Sequence, residues 1–367
     1  MRLIEQAYKI AVKYEFLYLA CELSGILHQN HIYYNRSSKK VDFYSKQIDH
    51  YLQAYVAEKK TEKIFLSIIH RKSSSLDIGR IQRAIQQINQ LNGSGVKYKS
   101  YQFTLQVLLF FCKGEYKQVI ECCNFMLTYL KDKPGAYRSH FHFFFLNKGI
   151  AGIATAQYEM AKKSFTMGLV YVKSRPFNRY LLHLYLAINA LHAGQYTDAH
   201  QLVQQNRRCR FEPIKEQFTI VEAYLCFLSH MGCLQVSKPF RLGKFLNETL
   251  TAQTDKQGDQ INILIAELLI HLVRDRGRFI DRVESARTYS YRHLKGQQYV
   301  RAKWFIKILC TLPRANFHPT ALRRLAKYPI EKLESHPIHM GEHFAIEIVP
   351  FSTLLELLFQ HIQQRVA

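Results

Sequence analysis

The chain has 367 residues, 48% of them hydrophobic, and its 51 Lys+Arg against 28 Asp+Glu give a formal net charge of +23. That apolar mass excludes general disorder, and 16 Gly with 9 Pro are too few for a collagen-like or turn-dense β chain. Eight cysteines spread through apolar stretches do not make a small disulfide scaffold, so free thiols in a reducing compartment are expected.

The N-terminal third reads as helix over 2–12, 15–28, 40–60 and 77–91, broken at Asn35-Arg36-Ser37-Ser38 and Ser73-Ser74-Ser75. Glu5, Lys9, Lys13 and Glu15 interrupt the opening residues, which leaves no uncharged core for a signal peptide. The charge-free run from Tyr180 to Thr197 holds His183, Asn189, His192, Gly194 and Gln195, too polar for a membrane span. A soluble, cytoplasmic protein that avoids membranes is the expectation. Gly93-Ser94-Gly95 reads as a linker and divides the chain into 1–95, 96–295 and a capping segment, 296–367.

From there a unit recurs. A small residue, any residue and an aromatic stand at Gly114-Glu115-Tyr116, Ala156-Gln157-Tyr158, Gly194-Gln195-Tyr196 and Gly277-Arg278-Phe279, with a further break at Gly232. The intervals are 42, 38, 38 and 45 residues, about the length of two helices and two turns. Within the units apolar residues step by three and four, as in Val119, Ile120, Cys123, Leu127 and Leu130, which is the stripe a helix buries. Pro134, Pro176 and Pro213 punctuate the pattern, and preceding helices are expected over 97–113, 137–154, 178–193 and 214–231. Further helices are expected over 297–311, 319–327 and 351–365, with an irregular stretch from Ile330 to Pro350 that includes a β-like 345–349.

Tyr158, Ala161, Phe165, Gly168 and Pro176 follow the order of the second helix of the tetratricopeptide repeat. Tyr116, Val119, Cys123, Met126 and Pro134 follow it with Ala replaced, and Phe145 and Gly149 stand where first-helix signals belong. The region 97–295 thus resembles a degenerate tetratricopeptide-repeat protein. The whole chain also resembles a group of bacterial proteins with degenerate repeats of this kind, most clearly at Phe240–Glu248, Phe305–Lys307 and Glu347–Pro350. The resemblance implies an all-α solenoid of antiparallel helical hairpins with a right-handed superhelix. It implies a scaffold for protein–protein interaction and brings no enzymatic activity or cofactor with it.

Two clusters carry metal-ligating residue types. Cys226, His230 and Cys233 lie at helical steps without a local fourth ligand for zinc, and His336, His339 and His343 surround Glu342. Buried thiols and a solvated His-rich loop account for both. Core packing accounts for the run His140-Phe141-His142-Phe143-Phe144-Phe145. No phosphate-binding Gly-rich loop, nucleophile elbow or His-Glu-x-x-His pair is present.

Charge gives the strongest functional signal. Between residues 271 and 330, fourteen Lys/Arg face only Asp275, Asp281 and Glu284. Arg274, Arg276, Arg278, Arg282, Arg287, Arg292, Lys303 and Lys307 are the candidate anion-binding residues, with a smaller cluster at Arg207, Arg208 and Arg210. An acidic segment of another protein is the expected partner, held in the groove of the repeat array. Nucleic acid on the same basic region is the alternative, although no recognition signature accompanies the charge, and a solvated helical face that keeps the protein in solution accounts for the same residues without a partner. An enzyme with a site assembled from distant helices is the third reading.

Overall fold

A computed structural model describes residues 1–70, 77–134, 137–172, 176–236, 240–251, 259–294, 296–340 and 347–365. Helix accounts for 81% of the described residues, and none of them forms a strand. The chain divides into two compact units, Met1–Asn147 and Lys148–Ala367.

In the first unit, α1 (Arg2–Lys13), α2 (Leu17–Asn30) and the long α3 (Ser38–Ile69) pack in succession, followed by α4 (Ile78–Asn89), α5 (Val96–Lys113) and α6 (Tyr116–Lys131). One core joins α3, α4 and α5 through Ile68, Ile81, Ile88, Tyr98 and Leu105, and a smaller one joins α1 to α3 through Ala11, Ala20, Leu23 and Tyr51. Gly93-Ser94-Gly95, expected as a linker, is a packed turn inside this unit. A Cβ on Gly93 would lie 2.3 Å from the Tyr98 ring, and the Tyr98 hydroxyl donates to the Ile88 carbonyl at 2.7 Å. The Glu15 carboxylate accepts from the Val96 amide at the start of α5 (2.6 Å) and meets Lys133 at 3.0 Å. It satisfies an orphan donor where the helix dipole favours negative charge.

The boundary between the units falls within α7 (Arg138–Ala154), which carries the aromatic run. His142 and Phe144 are buried, whereas Phe141, Phe143 and Phe145 are only partly so. Burial and the nearby Lys97 push His140 down to about 4.

The second unit continues with α8 (Tyr158–Val170), α9 (Pro176–His192), α10 (Tyr196–Gln205), α11 (Glu212–His230), α12 (Leu242–Thr251), α13 (Asp259–Arg274) and α14 (Arg276–His293). It ends with α15 (Val300–Thr311), α16 (Pro319–Leu325), α17 (Lys327–Ser335) and α18 (Phe351–Gln364). Neighbouring helices pack in pairs, and α9, α11 and α13 also pack side by side. Residues 223–228 of α11 are buried without interruption, so this helix is covered on every side. In contrast, α14 buries only the stripe Phe279, Val283 and Ala286.

The prolines expected as breakers also begin helices: Pro176 is the first residue of α9 and Pro213 lies in the first turn of α11, where a missing N–H costs nothing. Two expectations need correction. Gly277 does not mark a turn before a helix; Asp275 caps α14, its carboxylate accepting from the Arg278 amide at 3.2 Å, and Gly277 sits inside the first turn. The stretch from Ile330 is not irregular throughout, because α17 carries Pro329 in its first turn and continues to Ser335. Of the β-like 345–349 segment, 345 and 346 lie outside the described residues, and Glu347, Ile348 and Val349 form no strand.

Six helix ends share one geometry. Glu15, Gly114, Ala156, Gly194, Gly232 and Asn316 all have positive φ. At each, the next residue's amide donates to the carbonyl five residues back, as from Gln157 to Gly152 (2.8 Å) and from Gln195 to Ala190 (2.8 Å). At Ala156 and Gly194 this closure leads within two residues into the partner helix. The hairpin of α7 and α8 closes tightly, since a Cβ on Gly149 would lie 2.3 Å from the Phe165 ring.

Candidate anion-binding surface

The eight arginines and lysines singled out by charge do not form one stripe. Arg282 on α14 makes a two-pronged ion pair with the buried Glu267 of α13, at 2.8 and 2.9 Å. Arg278 pairs with Asp275 at 3.4 Å and Arg287 with Glu284 at 3.6 Å. The Arg276 guanidinium lies 4.7 Å from the centre of the Phe317 ring, and its Nε is buried without a hydrogen-bond partner. Arg278 and Arg282, one turn apart, therefore flank one side of the buried stripe of α14, and Arg276 the other.

Arg274 meets the first metal-like cluster. Its Nε donates to His230 Nε2 at 3.1 Å and its terminal nitrogen lies 3.5 Å from Cys226 Sγ. His230 Nδ1–H donates to the Cys226 carbonyl at 2.8 Å, so both ring nitrogens are engaged. A guanidinium thus stands where a cation would have to sit. Burial pushes the Cys226 thiol up, against the opposing pull of Arg274. In the second cluster, Glu342 and His343 lie outside the described residues, and His336 Nδ1 is engaged by the Lys332 carbonyl at 2.7 Å. No group of three or more potential metal ligands occurs among the described residues, and no disulfide links the eight cysteines.

Arg301, counted with the basic region, is an internal structural residue. It is buried, donates twice to the Glu347 carboxylate, and donates to the carbonyls of Leu333 and, at 2.7 Å, His336. Glu347 Oε2 also accepts from the Phe351 amide at the start of α18 (3.0 Å), and the Glu347 carbonyl accepts from His192 Nε2–H at 2.7 Å. One buried ion pair thereby ties α9, α15, α17 and α18 together. Burial pushes Glu347 up, with Arg301 opposing, and pushes His192 down to about 4. Charge counting could not separate Arg301 from its solvated neighbours. Its place between Val300 and Ala302, with Phe305 and Ile306 following, was the available signal of an inward-facing position.

Arg292, Lys303 and Lys307 remain; none has a carboxylate partner among the described residues. Lys303 and Lys307 lie one turn apart on α15, flanking Trp304. The Lys307 ammonium sits 4.9 Å from the Trp304 ring centre, and the Trp304 ring meets Tyr328 of α17 edge-on at 5.5 Å. Lys332, one turn after Tyr328, places its ammonium 5.4 Å from that ring. The acidic residues of α17 step away, because Glu331 and Glu334 line a separate cleft with Lys327 and Arg323. On the other flank of α15, Arg287 and Arg314 both act on the Cys310 thiol, which burial nevertheless pushes up to about 11. The resulting face carries Lys307 and Lys332 on an aromatic pair, with Lys303 one turn before Lys307 on α15. Sequence reasoning identified Lys303 and Lys307 and missed Lys332, Trp304 and Tyr328, which only the packing of α15 on α17 brings together.

Among the described residues, no helix is long and apolar enough to cross a membrane. Comparison of the chain with protein-family models, curated proteins and solved structures found no match.

Proposed function

We propose that the chain is a non-enzymatic scaffold of tetratricopeptide-like helical hairpins, and that the lysine face of α15 and α17 holds an acidic segment of another protein. The side-by-side packing of α9, α11 and α13 and the recurrent hairpin closures support the repeat-scaffold part of this reading. One observation carries the acidic partner: Lys307 and Lys332 rest on the Trp304 and Tyr328 rings, with Lys303 one turn before Lys307, and none of the three has an ion pair among the described residues, while Arg278, Arg282 and Arg301 meet carboxylates of the chain itself. Lysines resting on ring faces give up little further freedom when they meet an anion. The same contacts disfavour a nucleic-acid stacking platform, because ammonium groups cover ring faces that a base would need.

Fluorescence anisotropy with a labelled Glu-rich peptide and a labelled single-stranded oligonucleotide tests the reading. The peptide should bind the wild-type protein. The triple reversal Lys303→Glu, Lys307→Glu, Lys332→Glu should weaken it tenfold or more, about 1.4 kcal/mol, with helix content unchanged. Tighter binding of the oligonucleotide, lost in the same variant, would replace the acidic segment with nucleic acid.

A further inference from the structure

A second basic feature lies on another part of the second unit, and it does not depend on the lysine face. The cleft between α10, α11 and the approach to α12 encloses about 360 Å³, within the range of small-molecule sites, roughly 300–1,000 Å³. Its floor is apolar: Val203, Phe218 and Phe245 are all buried, and the Phe240 ring lies 5.5 Å from that of Phe245. Its rim is cationic, with Arg207, Lys215, Arg241 and Lys244 against a single lining carboxylate, Glu222. Glu222 is already engaged by Arg207 at 2.7 Å, and Lys215 reaches Glu212 at 3.2 Å. Arg241 is exposed, and its guanidinium has no ion pair or hydrogen bond among the described residues.

We infer that this cleft binds a small organic carboxylate with an apolar body, the body resting on the phenylalanines and the carboxylate meeting Arg241. A planar guanidinium offers the paired donors that a carboxylate takes. A free inorganic phosphate would gain nothing from the apolar floor. The site is one of binding and not of chemistry. The Cys209 thiol is held up by burial and points to the Phe211 carbonyl, and the Thr219 hydroxyl is spent on the Lys215 carbonyl at 2.9 Å.

Isothermal titration calorimetry with 1-naphthoate tests the assignment, with 1-naphthalenemethanol as the neutral analogue and inorganic phosphate as the apolar-free anion. Saturable 1-naphthoate binding is expected, weaker by tenfold or more for the alcohol and for phosphate. Arg241→Glu, at an exposed position, should keep its circular dichroism spectrum and lose affinity at least tenfold. Phe240→Ser, at a half-buried position, should weaken 1-naphthoate without creating phosphate binding. Absence of saturation at millimolar 1-naphthoate, a smaller loss in Arg241→Glu, or phosphate binding as tightly as 1-naphthoate would each overturn the inference. None of these outcomes bears on the lysine face.

Discussion

At Ala156 the backbone holds φ +56°, a conformation the same closure reaches through glycine at 114, 194 and 232. A Cβ there costs about 1 kcal/mol. Ala156→Gly should therefore raise stability by about 0.5–1 kcal/mol and Gly194→Ala lower it by about 1 kcal/mol, both read from chemical denaturation midpoints. No change in either variant, or changes of the reverse sign, would mean that the closure does not need a left-handed residue. The sequence pattern of small residue and aromatic made three of the six closures legible, at 114, 156 and 194, and Gly232 showed as a plain break. Glu15 and Asn316 escaped it because side chains occupy the left-handed position: Glu15 is kept by its bonds to Val96 and Lys133, and Asn is among the residues that tolerate that conformation. A second residue-scale effect concerns His192. Its folded pKa, about 4, lies below the unfolded value of roughly 6.5, so the unfolded chain binds the extra proton between those limits. The stability His192 contributes is complete above pH 6.5 and is lost as pH falls toward 4, by up to about 3 kcal/mol. Glu347, shifted upward, acts in the opposite sense over this range. The difference in acid unfolding between the wild type and His192→Gln isolates the histidine: the variant should lose less stability between pH 6.5 and 4.5. Identical slopes would show that His192 takes up its proton as readily in the folded protein as in the unfolded chain.

Helices were legible where period and punctuation agreed. The expected 97–113, 137–154 and 178–193 fall within two residues of α5, α7 and α9, because a three-and-four apolar spacing ends at a glycine or small-residue break in each. The long α3 outruns its expected 40–60, and α17 was hidden by Pro329, which a first turn accepts as readily as a loop does. What the spacing could not show is how α9, α15, α17 and α18 are held to one another. That rests on Arg301 and Glu347, separated by 46 residues and almost fully buried together. Removing one partner leaves an uncompensated charge in the interior, so Arg301→Met or Glu347→Gln should destabilise the protein by about 3–5 kcal/mol. The double substitution Arg301→Met, Glu347→Gln should recover much of the loss, because neither charge then remains to be desolvated. Calorimetric melting of the three variants checks this; a double variant as unstable as the sum of the singles would contradict the pairing.

Over the whole molecule, a net charge of +23 says that anions are attracted and leaves open where they are held. The basic stretch 271–330 resolves into three populations: residues that meet carboxylates, as Arg278, Arg282, Arg287 and Arg301 do; residues engaged with aromatic, thiol or imidazole groups, as Arg274, Arg276 and Lys307 are; and cations with no ion pair among the described residues, such as Arg292 and Lys303. The first two were invisible to charge counting, which sees neither Glu267 of the preceding helix nor Glu347 beyond the region. The chain's one tryptophan, Trp304, stands between Lys303 and Lys307 and so reports on the proposed site without a label. Titrating a Glu-rich peptide while following Trp304 emission measures the central claim directly. The account predicts a saturable change in emission that weakens with added salt and disappears in Lys303→Glu, Lys307→Glu. An unchanged spectrum at peptide concentrations where anisotropy shows binding would place the acidic segment elsewhere on the molecule and contradict it.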